Sequence, residues 1–296
     1  MGFDDVNVNP YGGNFNNIKE KLNSVKEQDI YYQKWMGNYS EMFKISDDLN
    51  VIDWKVREWR AIKEIYASAI LFEEAKCSLE NRCMASYYFS AYYSIFHAML
   101  SAICLDTNIT LEKIKVITHS KVGNQFKNTY CHGKNSILSE DIYTFFNKAK
   151  YLREYYSYTP PLNITFYDES YLDNLKKFIV KCFQLTNLQS LILEKSNKHD
   201  CPGTITTGEQ YMHVIEVFNK LVSKQSIDEN NKYVLDPADL NVRNDILTCG
   251  IDFQFIALQL DHTFDEFRLY SGSGEFFSTD NGMTNSIYSF IYNSIM

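Results

Sequence analysis

The chain has 296 residues, 45% hydrophobic and 22% charged, with a formal net charge of −8. That length and apolar content supply one large folded unit or two medium ones, and the acidic balance excludes a protein that coats nucleic acid with its whole surface, though not one with a local basic face. Aromatic residues reach 15%, with 22 Tyr and 20 Phe, so the core must hold large rings whose hydroxyls need partners.

Residues 1–50 are rich in Asn, Gly and Asp, with a turn signal at Pro10-Tyr11-Gly12-Gly13 and one short helical spacing, Ile18-Leu22-Val25. They read as an arm packed on the rest of the chain. A bundle is expected over 51–197. From Asp53, Trp54, Ile62, Ile65, Ala69 and Phe72 recur at helical spacing, with Asp53 as a cap and Asn81-Arg82 as an end. A second helix, about 83–104, is apolar on most of its circumference (Met84, Tyr88, Ala91, Tyr92, Ile95, Ala98, Met99, Ala102). Such a helix belongs at the centre of a bundle. Asp106-Thr107-Asn108 breaks it, and a short segment carries Ile114, Ile117 and Val122. A fourth helix, about 138–157, must stop before Pro160-Pro161. A fifth, about 169–195, carries Leu172, Leu175, Phe178, Ile179, Phe183 and Leu185. The fold class is mainly α, an up-and-down helical bundle.

After Lys195 the run Ser196 to Thr204 clusters breaker residues and reads as a linker. Residues 204–296 are expected to form a small α+β appendage. It would have a helix at Glu209–Val222, an alternating strand at Ile251-Asp252-Phe253-Gln254-Phe255 and a turn at Ser271-Gly272-Ser273-Gly274.

Seven scattered cysteines without a CxxC pair argue against a disulfide framework or a zinc site. Met1-Gly2-Phe3-Asp4-Asp5 lacks the basic start and apolar run of a signal peptide, and Val6 stands where a myristoylation pattern has Ser or Thr. No apolar run approaches the length of a bilayer span. A cytoplasmic protein with no membrane contact and reduced thiols is expected. No phosphate loop, nucleophile elbow or HExxH occurs, so neither a cofactor nor a metal is implied. Asp236-Pro237-Ala238-Asp239 reads as a turn, and Asp261-His262 with Asp265 and Glu266 as structure, not a metal site.

Three strings carry chemistry: Tyr87-Tyr88-Phe89-Ser90-Ala91-Tyr92-Tyr93-Ser94-Ile95-Phe96-His97-Ala98, Thr118-His119-Ser120, and Arg153-Glu154-Tyr155-Tyr156-Ser157-Tyr158. Their order and spacing over residues 53–195 resemble the HEPN superfamily, helical-bundle domains of prokaryotic toxins, antiviral effectors and their accessory proteins. The branch in question has an A-YY-A-FHA helix, an H-S-x-V segment and an R-x-x-A-D-Y helix end. Nucleases of that superfamily carry Arg followed four to six residues later by His, and the pair acts on the RNA 2′-hydroxyl and adjacent phosphate without metal. None of the six arginines here has such a His. Arg153 leads instead to Tyr158, with Tyr156 and Ser157 where the branch has Ala and Asp.

The resemblance implies a metal-independent endoribonuclease acting as a toxin or phage-defence effector, as a homodimer. Arg153 is the candidate cation for phosphorane charge, being permanently charged and fork-shaped. His119, at a helix boundary, is the candidate base, and Tyr158 stands in the place of the missing His. His97, inside the apolar helix, reads as a hydrogen-bonded core residue. Between Glu112 and Arg153, eight Lys or Arg face three acids, a concentration suited to RNA phosphates. Lys121, Lys127, Lys148 and Lys150 are the candidate contacts. The alternative is a non-catalytic HEPN-like protein that grips an antitoxin or a nucleotidyltransferase-like partner. The missing His favours that alternative, and the basic segment favours the nuclease.

Overall fold

Tyr31, Trp35, Tyr39 and Phe43 recur every four residues, which places them on one stripe of a helix. In the computed structural model a short helix α1 (Phe3–Val6) precedes α2 (Val25–Ile45), and that stripe is the buried face of α2. The structure describes residues 2–6, 13–45, 48–133, 136–159, 168–197, 205–222, 235–260, 262–263 and 282–295. The N-terminal region is therefore more than an arm. Its Asn and Gly mark the turns before α2; residues 18–24 are turn and loop, not helix, and Val25 opens α2. Trp35 stacks on Tyr130 with centroids 5.9 Å apart, and Tyr39 meets Trp54 edge-on at 5.8 Å. The turn signal at Pro10–Gly12 lies outside the described residues.

The bundle continues as α3 (Asp48–Glu80), α4 (Met84–Cys104), α5 (Leu111–Lys115), α6 (His119–Phe126), α7 (Asp141–Tyr158) and α8 (Tyr171–Ser196). The last turn of α6 widens into a π-type turn over Lys127–Cys131. The most extensive pairing joins α3 to α4, and α4 also packs on α6, α7 and α8. The helix that is apolar all round is thus central. Its close seam with α3 is lined by small residues: Ser94 Oγ donates to the Ser68 carbonyl at 2.8 Å, and Ala91 and Ala98 are fully buried. Ala91→Leu is expected to overpack α4 at a cost of roughly 1–3 kcal/mol, read as a lowered midpoint in urea. An unchanged midpoint would place Ala91 outside the packed core.

Asp53 does not cap α3, which begins five residues earlier; its carboxylate accepts from His213 Nε2 at 2.7 Å. The end of α4 is held by Arg57, buried on α3. Its guanidinium donates to the carbonyls of Cys104 (2.7 Å), Asp106 (2.7 Å) and Ile109 (3.1 Å) and lies 3.7 Å from the Trp54 ring centre. Asp106, also buried, accepts from Asn108, from Gln125 on α6 and from Thr129, each at 2.8 Å. This knot ties the loop after α4 to α6 and thereby sets where α6 lies.

The C-terminal region corrects one expectation. Among the described residues there is no strand, so the strand expected at 251–255 does not form and the α+β appendage has no support. Residues 251–255 are neither helix nor strand; Ile251, Phe253 and Phe255 bury alternate side chains, with Phe253 5.5 Å from Phe43. Just beyond this stretch residues 256–260 are helical, and α8 supplies acceptors for the first-turn amides: Ser190 Oγ and Asn187 Oδ1 accept from the amides of Ile256 and Ala257. Alternation in a sequence records alternate burial, and a helical surface can impose that as well as a sheet can. The segment Ser271–Gly274 and most of the presumed linker lie outside the described residues.

What the region does contain is α9 (Gly208–Leu221), α10 (Pro237–Cys249) and a C-terminal helix (Gly282–Ile295). Reciprocal capping boxes start α9 (Thr207 with Gln210) and α10 (Asp236 with Asp239, Pro237 at the first helical position). The motif Asp236–Asp239 is a helix start, not a free turn. Both α9 and the C-terminal helix pack on α3, and Trp59 Nε1 donates to Asp239 at 2.8 Å. One continuous core joins α2, the bundle and these elements.

Candidate active site

Three helices bring their polar side chains to one aromatic patch. On α4, Phe89, Tyr93 and His97 are spaced one turn apart and so share a face. Phe89 is exposed, Tyr93 and His97 are half-buried, and Tyr92 beside them is buried. The first residue of α6 is His119. Its Nδ1 lies 2.9 Å from the Tyr92 hydroxyl, and its ring centre lies 4.5 Å from Phe96 and 5.5 Å from Tyr93. Thr118 precedes it as the N-cap without a side-chain capping bond.

From α7, Arg153 reaches the same rings. Its guanidinium carbon lies 4.8 Å from the Tyr92 centroid and 5.8 Å from that of Tyr93; Nη1 donates to the Tyr93 hydroxyl at 3.4 Å, and Nη2 donates to Glu154 at 3.0 Å. Burial is the main cause holding the Tyr92 phenol above its ordinary pKa, while Arg153 over its ring pulls the other way. The phenol therefore keeps its proton at neutral pH and can hydrogen-bond His119 as a neutral group.

A second imidazole borders the patch. The centre of the His97 ring lies 5.2 Å from Phe96 and 6.4 Å from Tyr93. Its Nδ1 is hydrogen-bonded to Glu64, a buried carboxylate on α3 that is also ion-paired with Arg60. Sequence reasoning places His97 in the core. The helical spacing from Tyr93 is the signal that it lies on the rim, since i and i+4 share a face.

The sequence-predicted residues divide clearly. Arg153 and His119 meet at Tyr92 and Tyr93. Tyr158 does not join them: five residues of helix rotate it about 140° away from Arg153 around the axis, and it is 78% exposed. Among the four lysines, Lys127 pairs with Glu140 at 3.0 Å and Lys148 with Asp168 at 2.9 Å. Lys121 and Lys150 have no carboxylate partner among the described residues. Together with Lys113, Lys121 lines a groove of about 310 Å³ beside α6, with Asn124, Gln125 and Asn128.

A larger cleft, about 690 Å³, lies elsewhere, between α7, α8 and the loop before α2. Its lysines are already engaged: Lys181 and Lys177 by Glu20, Lys148 by Asp168 and Lys21 by the Leu138 carbonyl. No histidine or arginine lines it among the described residues, so it lacks the acid–base and fork-shaped groups that gather at Tyr93.

Among the described residues, no helix is long and apolar enough to cross a membrane. Comparison with protein-family models, with curated proteins and with solved structures finds no match for this chain. The reading of function accordingly rests on the residues around Tyr93.

Proposed function

We propose that this chain is a HEPN-like, metal-independent endoribonuclease that serves as a toxin or antiviral effector. The observation that carries the reading is the meeting of Arg153 and His119 on the Tyr92–Tyr93 pair. RNA self-cleavage chemistry needs a base for the 2′-hydroxyl and a fixed cation for the charge that develops on the phosphorane. His119 supplies the first and Arg153 the second. Tyr93, half-exposed between them, offers a face on which an unpaired base can stack, and Lys113 and Lys121 line a groove on α5 and α6 that could take backbone phosphates.

The test is cleavage of single-stranded RNA by the purified protein in EDTA, with analysis of the product ends. Cleavage leaving 2′,3′-cyclic phosphate is expected. His119→Ala is expected to slow it by about 100- to 10,000-fold, the usual contribution of a positioned acid–base group, while Tyr158→Phe leaves it unchanged. Intact RNA with wild-type protein would overturn the reading.

A second reading has its own observation. Tyr151 is 57% exposed, Tyr158 is 78% exposed and Tyr151 stacks on Tyr155 at 6.1 Å, so α7 presents an aromatic ridge to solvent. Exposed aromatic area of this kind suits a protein interface. In the nuclease reading a second copy of the chain covers it, as a homodimer. In the alternative, a non-catalytic protein uses it to hold an antitoxin or a nucleotidyltransferase-like partner, and no variant cleaves RNA.

A further inference from the structure

In the nuclease reading His119 takes the 2′-proton and Arg153 meets the phosphorane charge, which leaves the departing 5′-oxygen without a proton donor. We infer that His97 is that donor, the second catalytic imidazole of the site, held in place by Glu64. The inference rests on the ribonuclease reading and assigns the half of the acid–base chemistry that reading leaves open.

Position comes first. His97 is one helical turn from Tyr93, and both imidazoles border the Phe96 ring, at 5.2 Å for His97 and 4.5 Å for His119. The Arg153 guanidinium, His119 and His97 all surround the half-exposed Tyr93 ring, at 5.8, 5.5 and 6.4 Å from its centroid. The His97 side chain is 21% exposed, and its Nδ1 edge is anchored by Glu64.

The anchor is specific. With Nδ1–H donating to Glu64, the tautomer and ring plane of His97 are set, and Nε2 is the nitrogen left to exchange a proton with a ligand. Glu64 is in turn fixed by Arg60, whose Nη1 donates to the carbonyls of Leu221 (3.1 Å) and Val222 (3.4 Å) at the end of α9. Glu64 and Arg60 are positioning residues in this arrangement, because they act on the reaction only through His97.

The step balances as a transphosphorylation. The 2′-oxygen forms a bond to phosphorus and gives its proton to His119, and the bond from phosphorus to the 5′-oxygen breaks. That oxygen takes a proton from cationic His97. The products are a 2′,3′-cyclic phosphate and a 5′-hydroxyl, with His119 left cationic and His97 neutral.

The chemistry of the leaving group provides the test. A dinucleotide such as uridylyl-adenosine expels an alkoxide and needs the acid, whereas uridine 3′-(4-nitrophenyl phosphate) expels a stabilised phenolate and does not. His97→Ala is expected to slow the dinucleotide about 100- to 10,000-fold and the nitrophenyl ester by less than about tenfold. His119→Ala slows both, since both require removal of the 2′-proton. His97→Asn keeps an amide N–H for Glu64 without a transferable proton, and it is expected to behave as His97→Ala does even if the alanine variant folds poorly. Equal losses on both substrates for His97→Asn would assign His97 a structural role and overturn the inference while the ribonuclease reading stands, as would full activity on both. If the wild-type chain cleaves neither substrate, the ribonuclease reading itself falls and takes this inference with it.

Discussion

Arg153→Ala is expected to reduce RNA cleavage by about 100- to 1,000-fold, the usual loss when one preorganised donor to a developing charge is removed. The guanidinium is well placed for that role. It is 15% exposed, lies 4.8 Å from the Tyr92 ring centre and 5.8 Å from that of Tyr93, and pairs with Glu154 at 3.0 Å, contacts that hold it beside His119's neighbour Tyr93. Arg153→Lys retains the charge but loses the planar fork and much of the stacking, and it is expected to fall between wild type and alanine. Loss of the cation–π contacts should cost about 0.5–2 kcal/mol of stability, so urea unfolding must accompany the single-turnover rates. A folded Arg153→Ala variant that cleaves at the wild-type rate would move the site away from Tyr93.

The largest stability effect is expected at Arg57. Arg57→Ala removes a buried cation that satisfies three carbonyls after α4 and packs on Trp54. The Cys104 carbonyl stands at the negative end of the α4 dipole, and burial already pulls the guanidinium below its ordinary pKa. Unfolding stability should fall by about 3–5 kcal/mol, since the truncation leaves buried carbonyls without their donor at about 1–3 kcal/mol each. Arg57→Met, which refills most of the volume, should recover part of that loss and so separate packing from hydrogen bonding. Because Asp106 links this loop to Gln125 and Thr129, a folded Arg57 variant should also shift His119 and lower activity. A midpoint in urea equal to wild type for Arg57→Ala would show that the loop is held by Asp106 alone.

Much of the bundle was legible along the chain because helix formation is read from neighbours within one or two turns. The apolar circumference of 83–104 matches α4 (Met84–Cys104), the barrier at Pro160-Pro161 matches the end of α7, and the Leu172–Leu185 spacing matches α8. The same logic held the signal for α2, in Tyr31, Trp35, Tyr39 and Phe43, but Asn and Gly around it concealed the stripe. Alternation at 251–255 was real and its cause misread, since the partner surface is helical and lies far away in sequence.

The candidate site was legible only as separate residues. Arg153 and His119 stood out because each lies in one of the three strings whose order and spacing resemble HEPN motifs. Whether they meet depends on how α6 and α7 cross α4, and that is decided by Arg57, Asp106 and the packing of Tyr92, Phe96 and Phe146. Tyr158 fits the spacing of a familiar motif, yet helical rotation turns it to solvent. His97 looked like core because its helix is apolar, yet its own face opens on the rim where Glu64 from α3 holds it. Local periodicity determined the helices of this protein; the assembly of Arg153, His119 and His97 around Tyr93 was decided by tertiary packing, because groups from three helices converge only when distant segments fix their relative positions.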